Sequence, residues 1–254
     1  MKTGVWISAL ACSGLLLAAC ANDGLHRPSK QERRSEVARI QTQLALEYMR
    51  IGDYRAAVAT ADEAIANEPK NETIWLVRAQ IHQALGMDGM AEQGFQTALK
   101  LKPDSAEANN NYGWFLCSRR HQPQQAAAYF DRALADPTYP EPYVAYLNKG
   151  ICAAKNTQYA EAEQYLRRAL DFAPDFLPVQ KELMRVKFLS GDSHTALQIW
   201  QDYASRVREP DSDGLLLAWR AAKAAGSNAQ MKQLEAALQA RFPNSEELKL
   251  LKQE

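Results

Sequence analysis

Small and large apolar residues recur at fixed places in the stretch Glu72–Ser105 (ETIWLVRAQIHQALGMDGMAEQGFQTALKLKPDS), which is 34 residues long. Trp75, Ala79, Ala91, Phe95 and Ala98 fall at helical spacings, Gly86 interrupts the pattern midway and Pro103 ends it. This predicts two amphipathic helices joined by a glycine turn and closed by a proline. With Glu72 as position 1, the three alanines occupy positions 8, 20 and 27, and Phe95 occupies position 24. Small residues there let two helix backbones approach, and the ring fills the groove between them. One helical hairpin leaves an apolar face uncovered, so the pattern implies neighbours of the same kind.

The frame continues on both sides. Residues 38–71 hold it without a gap, with Ala45, Tyr48, Gly52, Ala57, Ala64 and Pro69 in place. Residues 106–142 hold it through Gly113, Ala126, Phe130 and Ala133 if one residue is added to the turn at Arg119 to Pro123. Their end carries three prolines (Pro137, Pro140, Pro142), which cannot continue a helix and make a stiff spacer. Residues 143–176, 177–211 and 212–245 follow, the last with Met231 where a small residue is usual. Residues 246–254 then read as a capping helix with Leu248, Leu250 and Leu251 facing the array. The unit resembles the tetratricopeptide repeat, which implies an all-α superhelix of about six helix-turn-helix repeats over residues 36–254.

Composition agrees with helices and excludes little else. Glycine is scarce, 12 in 254 residues, and the formal charge is zero, so no basic excess points to nucleic acid. Cys12, Cys20, Cys117 and Cys152, with His26, His82, His121 and His194, show no zinc spacing. Cys117 and His121 are four apart, but no third partner for a nucleophile and base is visible. No phosphate loop or paired carboxylates stand out, so neither an enzyme, a cofactor, a metal nor a small-molecule substrate is expected.

The amino end changes the picture. Residues 1–19 have a Lys2 start and a mostly apolar run from Val5 to Leu17, too short for a comfortable membrane span, and read as a signal peptide. The run ends in Leu17-Ala18-Ala19-Cys20, which resembles the lipobox of bacterial lipoproteins. That resemblance implies acylation of Cys20 (palmitate among the chains), and more than one chain anchors a protein stably. The alternative is an ordinary cleaved signal peptide with an incidental cysteine. No Asp follows Cys20 directly, and the family-level sorting rule then favours the outer membrane. Residues 20–35 read as a lipidated, flexible polar tether, in which the mixed charges from Lys30 to Arg34 suit a solvated helix start.

Cys117 and Cys152 remain after processing, at positions 12 and 10 of adjacent first helices. In an oxidising periplasm they are candidates for a disulfide; two buried free thiols are the other reading. In the repeat family, positions 2, 5, 9, 12 and 13 of each first helix line a concave groove. The resemblance places Leu46, Met49, Leu76, Gln80, Asn110, Trp114, Leu147 and Ile151 there. This strip suits an extended or helical peptide with apolar anchors, centred on Trp114.

Lipobox, repeat array and the run Asn109-Asn110-Asn111-Tyr112-Gly113-Trp114-Phe115-Leu116-Cys117 together resemble the type IV pilus biogenesis and stability lipoproteins of the PilF/PilW family. The resemblance covers the whole chain. It implies an outer-membrane lipoprotein facing the periplasm, with pilus secretin subunits and other type IV pilus proteins as partners. Such a protein acts as a pilotin that helps the secretin localise and multimerise, or as a pilus-stability factor. It also implies that Cys117 and Cys152 are the family's disulfide pair. A lipoprotein adaptor for cell-wall enzymes is the alternative function.

Overall fold

The computed structural model describes residues 28–254, all of whose regular elements are α-helices. The signal segment, the lipobox, Cys20 and the tether up to residue 27 lie outside the described residues. Six helical hairpins follow one another. They are α1 (Lys30–Arg50) with α2 (Tyr54–Asn67), α3 (Glu72–Ala84) with α4 (Asp88–Leu101), and α5 (Ala106–Ser118) with α6 (Pro123–Leu134). Then come α7 (Pro142–Lys155) with α8 (Tyr159–Phe172), α9 (Leu177–Leu189) with α10 (Ser193–Arg206), and α11 (Ser212–Ala224) with α12 (Asn228–Arg241). A short α13 (Glu246–Gln253) closes the array.

Local chemistry sets these boundaries. Asp53, Asn71, Ser105, Asp192, Asp211 and Ser245 each cap a helix by accepting a backbone N–H from its first turn. Gly52, Gly86, Gly191 and Gly226 take positive φ between 71° and 88° at the hairpin turns, a conformation that costs a side chain energy. The turn of the third hairpin is one residue longer, as the frame requires, and His121 takes the left-handed place at φ 56°.

Packing follows the repeat frame. Ala79, Ala91, Phe95 and Ala98 are fully buried, as are Ala126, Phe130 and Ala133 one repeat later. A Cβ at Gly113 would come within 3.0 Å of the Phe130 ring, and one at Gly150 within 2.8 Å of Leu166. The small position 8 is thus what admits the large position 24. Each first helix touches the next first helix, whereas no second helix touches another second helix. The first helices are therefore the closer-packed, concave layer.

Two expectations need correction and a third is extended. Residues 30–35 are not tether: Ser29 and Glu32 form a capping box, Arg34 donates to the Ala66 carbonyl at 2.9 Å and Ser35 donates to Glu68, so α1 starts at Lys30 and is docked on α2 from its second turn. Leu250 does not face the array; Leu248 and Leu251, three apart, share the buried face of α13 and leave Leu250 outside. The proline spacer is not only a stiff link, because Tyr139 folds back from it into a buried cluster with Ala106, Ala133 and Ala145.

Candidate functional site

The concave layer is built from α1, α3, α5, α7, α9 and α11, and its floor is held together by polar bonds between consecutive first helices. Gln80 Nε2 donates to Asn111 Oδ1 at 2.9 Å, and Asn148 Nδ2 donates to Asn110 Oδ1 at 3.0 Å. Further along, Lys181 pairs with Asp211 at 2.6 Å and with Asp213 at 2.9 Å, and Arg185 reaches Asp213 at 2.7 Å. Burial pushes the Asp213 carboxyl up, but Lys181 and Arg185 outweigh it and hold it below the usual range. These bonds fix the rotation between repeats and so the shape of the groove.

Of the eight groove residues expected from the repeat frame, five reach the surface. Leu46 is exposed, and Met49, Gln80, Trp114 and Ile151 are half-buried. Lys155 lies over the Trp114 ring with Nζ 5.5 Å from its centroid, a cation on one face of the indole. Leu76, Asn110 and Leu147 are buried and do not line the groove. Leu76 packs among Phe95, Tyr112 and Phe115, Leu147 among Val179 and Leu183, and Asn110 is bonded to Asn148. All three sit at position 5, which this superhelix turns into the joint between consecutive first helices. Asn111 and Asn148, both at position 6, were not expected as floor residues; the only sequence signal is an amide repeated in neighbouring first helices.

A cleft of 560 Å³ lies between the starts of α3 and α5 and the proline spacer. Glu72, Asp104, Glu107, Asp136 and Glu141 line it, against one cation, Lys102. Desolvation in the cleft, and then the charges of Glu141 and Glu72, hold the Glu107 carboxyl above the usual carboxylate range. A raised carboxyl favours the protonated folded state, so the array gains stability as the pH falls through that value and is weaker above it. Glu107→Gln is therefore expected to raise the melting temperature near neutral pH by about 1–2 °C and to shrink the gain seen on mild acidification. A thermal melt of both proteins across that range checks it, and a lower melting temperature in the variant would contradict it.

Cys117 and Cys152 form a disulfide between α5 and α7, their Cα atoms 6.0 Å apart despite the two-place offset in the frame. The Cys117 sulfur is thereby engaged, so the Cys117–His121 spacing offers no thiol nucleophile. Among the described residues no three His, Cys, Asp or Glu side chains gather to hold a metal ion. No helix among them is long and apolar enough to cross a membrane. Cys20 lies outside the described residues.

Comparison with known proteins places this geometry. The tetratricopeptide repeat family is matched over residues 38–81 and again over residues 118–175. The crystal structure of PilW, a type IV pilus biogenesis factor, is 53% identical, covers 85% of this chain and 98% of its own, and superposes with a TM-score of 0.82. PilF of Pseudomonas aeruginosa, 22% identical over 87% of this chain and 99% of its own, shares the fold with a TM-score of 0.75. An uncharacterized Haemophilus influenzae protein is 27% identical over 116 residues, 46% of this chain, and the chain spans 64% of that relative's length. The match to PilW extends over nearly the whole repeat array rather than one or two hairpins, and on it the chain belongs to the PilW family of type IV pilus biogenesis factors.

Proposed function

We propose that the chain is an outer-membrane lipoprotein, anchored through Cys20 and facing the periplasm, that binds the pilus secretin and promotes its localisation and multimerisation or the stability of the pilus. Binding rests on the concave layer, without catalysis. The observation that carries this reading is the half-exposed strip of Leu46, Met49, Gln80, Trp114 and Ile151 on the inner face of an array of the PilW family. Such a strip takes an extended or helical segment whose apolar side chains seat beside Trp114. The carboxylates of the cleft at the starts of α3 and α5 favour a segment without acidic residues. Anchoring would hold several bound secretin subunits on one surface and raise their effective concentration.

Affinity measured between the chain from Ala21 onward and periplasmic segments of the secretin tests the site. Trp114→Ala and Leu46→Asp are each expected to weaken binding about tenfold or more, the scale of a central anchor. Leu250→Asp, on the exposed side of α13, is expected to leave it unchanged. Binding that ignores both groove variants would move the site elsewhere, and absence of binding would remove the secretin as a direct partner.

A further inference from the structure

α1 has two apolar faces. Ala38, Thr42 and Ala45 are buried where the helix packs on α2 and α3. Turned away from them, Val37, Ile40 and Leu44, with Ile51 at the C-terminal cap just beyond the helix, stand 43% to 65% exposed. Steps of three, four and seven put the four on one stripe. α1 is the first of the described helices, and among the described residues it touches only α2 and α3. The segment just upstream is a poor cover: between Cys20 and Pro28 only Ala21 and Leu25 are apolar.

The charges along the stripe select the occupant. Val37, Leu44 and Ile51 fall at heptad position a and Ile40 at d, which leaves Arg33 and Glu47 at the remaining d places. A parallel pair of such helices would set Arg33 against Arg33 and Glu47 against Glu47. An antiparallel pair sets Ile40 against Leu44 of the second copy, Val37 against Glu47 and Ile51 against Arg33, with no like charges opposed. The long polar side chains at its rims can reach water while their stems cover the aliphatic groups. The same arrangement brings Glu36, at g, beside Arg50 of the second copy. Each of these has a partner on its own helix, Arg39 at 2.6 Å and Glu47 at 2.8 Å, so the new pair joins two existing ones. We propose that the exposed stripe of α1 is an antiparallel helix–helix interface with a second copy of this chain. Four aliphatic side chains a copy make an interface smaller than the ~800 Å² per partner of stable complexes, so the dimer is expected to be weak, on the order of micromolar.

All the helical contacts described above lie within residues 28–254, so the chain from Ala21 onward keeps the whole array and is suited to sedimentation equilibrium. The expected result is a concentration-dependent dimer that Leu44→Glu weakens by about tenfold or more. Leu44 is exposed, so circular dichroism of that variant is expected to match the parent. Glu36→Arg and Arg50→Glu are each expected to weaken the dimer, and the two together to restore it. On oxidation, Ile40→Cys chains are expected to cross-link to Leu44→Cys chains when mixed, and neither to itself. A monomer at every concentration would overturn the proposal. So would a monomer that floats, through Leu44, with vesicles of phosphatidylethanolamine and phosphatidylglycerol, which would assign the stripe to lipid. Cross-linking of Leu44→Cys chains to themselves would overturn the antiparallel arrangement.

Discussion

Removing the Cys117–Cys152 bond, by reduction or by the double substitution of both cysteines with alanine, is expected to cost about 4 kcal/mol. The bond closes a loop of 35 residues, and the chain-entropy estimate for a loop of that length gives this figure. Its placement concentrates the effect. The loop contains the long turn of the third hairpin and the proline spacer, which together make this the repeat that departs furthest from 34 residues. Without the cross-link, Tyr139, the Asn148–Asn110 bond and the packing of α7 on α5 and α6 are what hold that joint closed. A fall of about 8–16 °C in melting temperature is expected for a chain of this size. Thermal unfolding with and without reductant measures it, and the double alanine variant is expected to be insensitive to reductant. Both sulfurs are buried, so reduction of the parent is expected to wait on local opening. An unchanged melting temperature after complete reduction would show that the joint is held by packing alone.

Phe95→Ala is expected to cost about 3–5 kcal/mol, the range for emptying a fully buried phenylalanine site. The ring sits between the second and third hairpins, 5.4 Å from Phe115 and 5.9 Å from Tyr112 between centroids. It also fills the space left by Ala79 and Ala91, whose neighbours are held by the backbone and cannot collapse far. The more telling expectation is where the damage spreads. In an array whose hairpins touch mainly their neighbours, stability is close to a sum of local terms. The core of α11, α12 and α13, built on Trp219, Leu238, Leu248 and Leu251, shares no side chain with the Phe95 cluster. Hydrogen exchange is therefore expected to show lost protection in α3, α4 and α5 and near-normal protection in α11. Uniform loss along the chain would mean that the array unfolds as one unit.

The sequence frame located the helices well because its positions report local packing. Ala at positions 8, 20 and 27 and an aromatic or leucine at 24 describe one hairpin folding on itself, and every such residue of the second hairpin is buried. The extra residue near His121 was legible for the same reason, since without it Ala126, Phe130 and Ala133 lose their register. Position 5 was different. Whether Leu76 or Leu147 faces the groove depends on the rotation between one first helix and the next, which the bonds from Gln80 to Asn111 and from Asn110 to Asn148 set across 31 and 38 residues of chain. No local pattern carries that rotation. The start of α1 was legible in part: the mixed charges from Lys30 to Arg34 suit a helix start, but turns so wholly polar fit a tether equally well, and the Ser29–Glu32 capping box decides between them. The stripe of Val37, Ile40, Leu44 and Ile51 was hidden, because the frame assigns α1 a single buried face.

The most direct test of the functional account is the amount of SDS-resistant secretin multimer in the outer membrane of cells lacking this chain, with the wild-type chain, Cys20→Ala, or a Leu46→Asp, Trp114→Ala double variant supplied in turn. The expected result is loss of multimer in the deletion and recovery with the wild-type chain. Multimer at the wrong membrane is expected with Cys20→Ala, and little recovery with the groove variant. Normal multimers in the deletion strain would contradict secretin assembly as the function: with unstable pili they would leave a role in pilus stability, and with normal pili they would direct attention to cell-wall enzymes as partners.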